Sequence, residues 1–188
     1  MITPNRLTIF RILIALISPV ILVANRSFAS ELIVAFLFTV ACITDWWDGY
    51  LARKKSMITN LGKIADPIAD KLLIIGLMFT FAYLELYGYE WVLVIFIREV
   101  IVTIARLIKL KQGKVIPAEG AGKIKVGFQI GSIYATLIFV MLFDSGLFFH
   151  PEPYFLFVFQ SIHYLGIFLA VLTTVISVIL FFQRFDES

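Results

Sequence analysis

The chain has 188 residues, of which 61% are hydrophobic and 15% are charged, and its mean hydropathy is +0.96. A soluble domain averages roughly 45–50% apolar residues, so this composition excludes an ordinary soluble protein and predicts a polytopic membrane protein. The lone cysteine, Cys42, excludes an intrachain disulfide and a cysteine zinc site, and its apolar surroundings predict a buried small side chain. The length predicts a single domain over residues 1–188.

Six apolar segments are close to or longer than the roughly 20 residues that a membrane-spanning helix needs. They cover residues 8–25, 31–52, 64–84, 91–110, 124–143 and 154–182. The first is interpreted as a retained helix, because no small-residue cleavage site clearly follows it. The sequence therefore predicts an all-α fold with six transmembrane helices in one bundle. The Phe-rich sixth segment is interpreted as a lipid-facing or dimer helix.

The basic residues predict the orientation in the membrane. With both termini in the cytoplasm, every Lys and Arg except Arg26 and Arg98 lies at or near the cytoplasmic face. Positive charge favours that side, so we expect a multi-pass protein of the cell membrane with cytoplasmic termini. We expect membrane lipid as a partner and no nucleic acid. The aromatic residues expected at the opposite interface are Tyr83, Tyr87, Tyr89, Trp91 and Tyr154.

Two pairs of aspartates lie where the second segment ends and the third begins. Asp45 and Asp48 are three residues apart and Asp66 and Asp70 are four apart, so each pair shares a helix face. Carboxylates beside apolar segments are costly unless a cation holds them. Hard oxygen ligands favour magnesium, manganese or calcium. The sequence thus predicts a divalent-metal site in a cavity that opens to the cytoplasm.

The same stretch resembles the signature of the CDP-alcohol phosphotransferase family. It reads Asp45-x2-Asp48-Gly49-x2-Ala52-Arg53-x8-Gly62-x3-Asp66-x3-Asp70 and matches the family pattern at each fixed position. The resemblance implies a CDP-diacylglycerol donor, release of CMP, and a homodimer. It also implies that the four aspartates hold two Mg²⁺ ions, or Mn²⁺, on the donor pyrophosphate, with Asp70 as the general base. The implied donor-binding residues are Asn5, Thr8, Asp48, Gly49, Ala52, Arg53 and Gly62.

Some of these residues also have simpler interpretations. Asn5, Thr8 and Arg11 share a helix face, which alone is typical of an N-terminal cap with an interfacial anchor. Their spacing is similar to that in the phosphatidylglycerophosphate synthases of the family, which implies nucleotide contacts for Asn5 and Thr8 and a phosphate near Arg11. Gly49 and Ala52 alone would suit helix packing. The resemblance instead implies room for the cytidine group.

Basic residues of the fourth and fifth segments predict a phosphate pocket. Arg98 and Arg106 are eight residues apart, about 80° around a helix, so both can border one cavity. Lys123 and Lys125 open the fifth helix, whose N-terminus also attracts anions. An ion pair of Arg98 with Glu99 or with one of the aspartates is the structural alternative. Lys71 is interpreted as an interfacial charge.

A pocket with three or four cations suits an alcohol that already carries a phosphate, so sn-glycerol 3-phosphate is the expected acceptor. Inositol phosphate and phosphatidylglycerol stay open, because Val126 stands where phosphatidylglycerophosphate synthases usually carry threonine. A prenyl transferase would lack the glycine, alanine and arginine framework of the motif. A cation or nucleotide transporter would need access from both faces. His150 is interpreted as a loop residue and His163 as a core or interfacial residue.

Overall fold

The computed structural model of the chain describes residues 4–55, 62–111, 120–144 and 153–187. Within them, the side chains of 4–7, 46–55, 62–70 and a few positions near other helix ends are outside the description. The helices are Pro4–Ala24 (α1), Phe28–Lys55 (α2), Gly62–Tyr83 (α3), Tyr89–Lys111 (α4), Gly120–Asp144 (α5) and Pro153–Glu187 (α6). The predicted all-α fold with six helices is confirmed.

The helices pack into one bundle around a shared core. α1 lies along α3 and α2, α5 lies along α6 and also contacts α2 and α3, and α4 lies against α6 and α3. Every helix contributes to the main apolar cluster, as Phe38, Leu77, Ile95, Ile133 and Ile167 illustrate. A smaller cluster, formed by Val102, Ala105 and Phe181, packs α4 against α6.

Small residues let α5 and α6 approach closely. A Cβ placed on Gly166 would lie 3.4 Å from the Cα of Ser132 and 3.7 Å from the Cβ of Ala135. Helices in lipid gain little hydrophobic free energy by associating, so close van der Waals contact is a main source of their attraction. A methyl group at Gly166 would lie in ordinary van der Waals contact with α5, so this glycine marks a close contact between the two helices.

The outer surface of the bundle is apolar, with large exposed side chains such as Val20, Phe36 and Phe157. Among the described residues, the stretches long and apolar enough to cross a membrane are Phe28–Asp45, Gly122–Asp144 and Phe157–Gln183. Shorter apolar stretches cover Thr8–Ala24 and Lys71–Tyr83. Such a surface would be unfavourable in water, and the protein is membrane-embedded.

The turn between α3 and α4 has a capped geometry. The N–H of Leu86 donates to the carbonyl of Phe81 at 2.9 Å, and the N–H of Glu85 donates to that of Ala82 at 3.0 Å. These two bonds form a Schellman motif, which satisfies carbonyls at the helix end. Glu85 has a φ of 60°, the left-handed conformation that this motif requires and that glycine adopts most readily.

A buried polar network ties this turn to α5 and α6. The Tyr87 hydroxyl bonds to Ser132 Oγ at 3.0 Å and to Thr136, and burial raises the pKa of Tyr87 to about 12. His163 stacks on Tyr87 and donates from Nε2 to the Leu86 carbonyl at 2.8 Å. Tyr87 is therefore packed into the core at this turn, and its predicted place at the membrane interface stays a prediction. The core interpretation of His163 is confirmed, and His150 lies outside the described residues.

Candidate active site

An ion pair joins α1 to α2 at one end of the bundle. Arg11 Nη1 donates to Asp45 Oδ1 at 2.6 Å. The Arg11 side chain is 1% exposed, whereas half of the Asp45 side chain is exposed. Thr8 lies about one turn before Arg11 and is also buried. The structure thus brings the first predicted metal ligand against the polar face of α1.

A cavity of about 260 Å³ lies beside this pair, and we call it the aspartate cavity. Its walls include Arg11 and Asp45, together with Lys71 of α3 and Glu99 of α4. Because Lys71 directly follows Asp70, the two ends of the aspartate motif lie near the same cavity.

A second cavity, of about 520 Å³, lies between α3, α4 and α5, and we call it the cationic cavity. It is lined by all four residues predicted to bind the acceptor phosphate, namely Arg98, Arg106, Lys123 and Lys125. Lys71 adds a fifth basic side chain, and Glu99 is the one carboxylate among the described lining residues. This excess of positive charge favours a polyanionic ligand.

Glu99 contacts three of these cations. Its Oε1 accepts a hydrogen bond from Arg98 Nη1 at 3.2 Å and a shorter one from Lys125 Nζ. Its Oε2 lies 3.5 Å from Lys71 Nζ. The side chains of Arg98, Glu99 and Lys125 are all buried, and buried charges persist only when they are paired. The ion pair of Arg98 with Glu99 is confirmed, and both residues also line the cavity.

A third cavity, of about 600 Å³, runs along α1, α3 and α4. Most of its walls are apolar, with Leu16, Ile75 and Phe96 among them, and Lys71 and Glu99 border it as well. We call it the apolar groove.

Comparison with known proteins decides the family. The family model for CDP-alcohol phosphatidyltransferase matches residues 1–179. The chain belongs to the CDP-alcohol phosphatidyltransferase family. The predicted family and enzyme class are thereby confirmed.

Several curated relatives of this phosphatidyltransferase share the name CDP-diacylglycerol–glycerol-3-phosphate 3-phosphatidyltransferase. The protein of that name from Bacillus subtilis is 36% identical over 152 residues, which cover 75% of this chain and 79% of the relative. That from Mycoplasma genitalium is 33% identical over 168 residues, with coverage of 77% and 71%. That from Wigglesworthia glossinidia brevipalpis is 31% identical over 144 residues, with coverage of 71% and 75%.

The other motif residues of this phosphatidyltransferase lie on α2 and α3. α2 carries Asp48, Gly49, Ala52 and Arg53, and α3 carries Gly62, Asp66 and Asp70. Their side chains, and that of Asn5, are outside the described residues, so their roles stay predictions. Among the described side chains there is no group of three or more His, Cys, Asp or Glu residues placed to hold a metal ion. Asp45 is the one predicted ligand within that set.

Lys71 is a site residue that the sequence interpretation missed. Its side chain is 33% exposed, and its Nζ donates to Thr103 Oγ1 and lies 3.5 Å from the Glu99 carbonyl. It points toward α4 because α3 packs between α1 and α4, so it is not a free interfacial charge. In the sequence, Glu99 could have indicated this contact, since a carboxylate within a membrane-length segment requires cationic partners.

The sixth helix contacts one of the residues that line the cationic cavity. The guanidinium of Arg106 lies 5.8 Å from the ring centroid of Phe181, which is buried between α4 and α6. This cation–π contact orients an otherwise exposed arginine. The inward face of α6 is therefore packed in the bundle, whereas Phe157 and Phe168 of the same helix are exposed, and its interpretation as a lipid-facing or dimer helix stays a prediction. Val126, which replaces the usual threonine, lines both the aspartate and the cationic cavities.

Proposed function

We propose that the protein transfers the phosphatidyl group of CDP-diacylglycerol to sn-glycerol 3-phosphate, forming phosphatidylglycerophosphate and CMP in phospholipid biosynthesis. The cationic cavity carries this proposal, because five basic side chains surround a single carboxylate among its described walls. A phosphorylated alcohol supplies the negative charge that such a cavity requires, whereas a neutral amino alcohol does not. The shared name of the three relatives supports the same reaction.

Asp45 is the described residue of the aspartate cavity from which a divalent-metal site can be argued. Asp45 is half exposed and lines that cavity, and its bond to Arg11 engages one of its two oxygens. We propose that Asp45, Asp48, Asp66 and Asp70 hold two Mg²⁺ ions, which Mn²⁺ can replace. When bound, such ions neutralise the charge that develops on the donor pyrophosphate.

The chain's own groups perform the remaining steps. Asp70 accepts the proton of the acceptor hydroxyl while that oxygen bonds to the phosphorus that carries diacylglycerol. The bond from this phosphorus to the bridging oxygen breaks, and CMP leaves with the electron pair. The acceptor phosphate is held by Arg98, Arg106, Lys123 and Lys125 through charge-assisted hydrogen bonds. The CDP group is bound by Asn5, Thr8, Asp48, Gly49, Ala52, Arg53 and Gly62.

We further propose that all six helices span the cell membrane, with both termini and the cavities on the cytoplasmic side. Arg26, the basic residue predicted on the outer side, lies 3.5 Å from Asp144, so its charge is offset there. This pair lies at the end of the bundle opposite the cationic cavity. The donor's acyl chains would enter from lipid. A homodimer is carried over from the family resemblance.

The test is CMP release by the purified protein in detergent with CDP-diacylglycerol and Mg²⁺. Glycerol 3-phosphate, inositol 1-phosphate, phosphatidylglycerol and serine are supplied separately. Release with glycerol 3-phosphate alone supports the proposed reaction. Release with a different acceptor instead overturns the proposed acceptor but leaves the proposed transfer chemistry unchanged. If none of the four acceptors gives CMP release, the transferase proposal is overturned and the transporter alternative is favoured.

A further inference from the structure

Lys71 and Glu99 lie where three cavities meet. Both line the aspartate cavity, the cationic cavity and the apolar groove. No other described residue lines all three of them. A contact at this junction can therefore influence how the polar and apolar parts of bound substrates are placed relative to each other.

The contacts of Glu99 join three helices through one carboxylate. Arg98 and Glu99 belong to α4, Lys125 belongs to α5, and Lys71 belongs to α3. Thr103 adds a further link, since its hydroxyl donates to the Glu99 carbonyl at 2.5 Å and accepts from Lys71 Nζ. The relative positions of three cations therefore depend on one buried acid.

We propose that Glu99 is a positioning residue for the acceptor. It holds Arg98, Lys71 and Lys125 in the arrangement that binds the acceptor phosphate. Through Lys71 it also sets α3, on which Asp70 immediately precedes Lys71, against that binding site. This inference rests on the proposed function.

The charge of Glu99 explains why its role is indirect. A buried carboxylate would repel an anionic substrate, and its oxygens already face cations. Without its charge, three neighbouring cations repel one another in a region of low dielectric constant. Their side chains then separate, and the fixed geometry that a phosphate needs is lost. Binding of the donor, which depends on the aspartate motif, is affected far less.

The test is the isosteric variant Glu99→Gln, measured by CMP release as each substrate is varied in turn. The expected result is a KM for glycerol 3-phosphate raised at least tenfold, with the KM for CDP-diacylglycerol within twofold of wild type. Glu31→Gln is the matched control, because Glu31 is also a buried glutamate but lies in the first turn of α2 at the other end of the bundle. It should change neither constant. Equal increases in both KM values for Glu99→Gln, or none, overturn the inference.

Inorganic phosphate provides an independent readout of the same pocket. It should inhibit the wild type competitively against glycerol 3-phosphate, and its inhibition constant should rise in Glu99→Gln by about the same factor as the KM. An unchanged inhibition constant overturns the positioning role.

A second pair of variants keeps the inference testable if Glu99→Gln does not fold, as judged by size-exclusion chromatography. Glu99→Asp retains the charge but withdraws it by one methylene, and Lys71→Met removes the link to α3. Each should raise the KM for glycerol 3-phosphate at least threefold and leave that for the donor within twofold. An unchanged acceptor KM in both overturns the inference. A wild type that releases no CMP with any phosphorylated acceptor overturns the proposed function itself, which is a separate outcome.

Discussion

Replacing Arg98 with alanine tests the cationic cavity most directly. Arg98 is 8% exposed, so solvent screens its charge little, and it lines the cavity beside Lys71 and Lys125. A hydrogen bond to a charged group contributes about 1.5–3 kcal/mol. The loss of one such hydrogen bond in Arg98→Ala should lower kcat/KM for glycerol 3-phosphate by about 10- to 150-fold, since 1.4 kcal/mol is about a factor of ten.

The structure also indicates that this variant should fold. Breaking a buried ion pair usually costs about 3–5 kcal/mol because it leaves one charge unpaired. Here Glu99 keeps Lys71 and Lys125 as partners after Arg98 is removed. The effect on the free energy of unfolding should therefore be smaller than that figure.

Initial rates of CMP release should be measured with each substrate varied at a saturating concentration of the other. Arg98→Lys retains the charge but not the planar guanidinium, so its loss should be smaller. Arg26→Ala is the matched control, because that arginine is 45% exposed and pairs with Asp144 at the opposite end. Equal losses for donor and acceptor in Arg98→Ala, or no loss, would refute the acceptor pocket.

The other predictions concern catalysis, metal and stability. Asp70→Asn should lower turnover by at least about 100-fold, while equilibrium binding of CDP-diacylglycerol is retained; near-normal turnover contradicts its role as the base. Chelation with EDTA should abolish CMP release and added Mg²⁺ or Mn²⁺ should restore it, so full activity in EDTA contradicts the metal site. Glu85→Gly should stabilise the protein by up to about 1 kcal/mol by relieving its left-handed backbone, seen as a higher melting temperature in detergent; a lower one refutes this. Gly166→Leu should destabilise by about 1–3 kcal/mol through overpacking of α5 and α6, whereas Gly131→Leu, with open space at its Cβ, should not; equal effects refute the close approach.

Helix positions were largely predictable from hydropathy. The apolar segment 91–110, for example, corresponds to Tyr89–Lys111, and 124–143 corresponds to Gly120–Asp144. The physical reason is that backbone polar groups in lipid must be satisfied within the segment, so a membrane-length apolar run forms a helix. The ends differ by a few residues because polar residues extend the helices beyond the apolar runs.

Part of the candidate site was predictable for a related reason. Helical periodicity placed Arg98 and Arg106 on neighbouring faces, and the structure brings both to one cavity with the two lysines of α5. Periodicity could not predict that Lys71 turns toward α4, or that Tyr87 turns into the core. Those directions depend on which helices are neighbours, and neighbours are set by packing across the whole bundle.

The sequence by itself determined the membrane class, the number of helices and the family, because composition, segment length and motif spacing are local properties of the chain. The tertiary structure decided that Glu99 pairs with cations from three helices and that Arg11 pairs with Asp45. These partners are 26 to 34 residues apart in the sequence, except for the adjacent Arg98. A buried charge requires a partner, but only the packed bundle determines which oppositely charged group lies within reach.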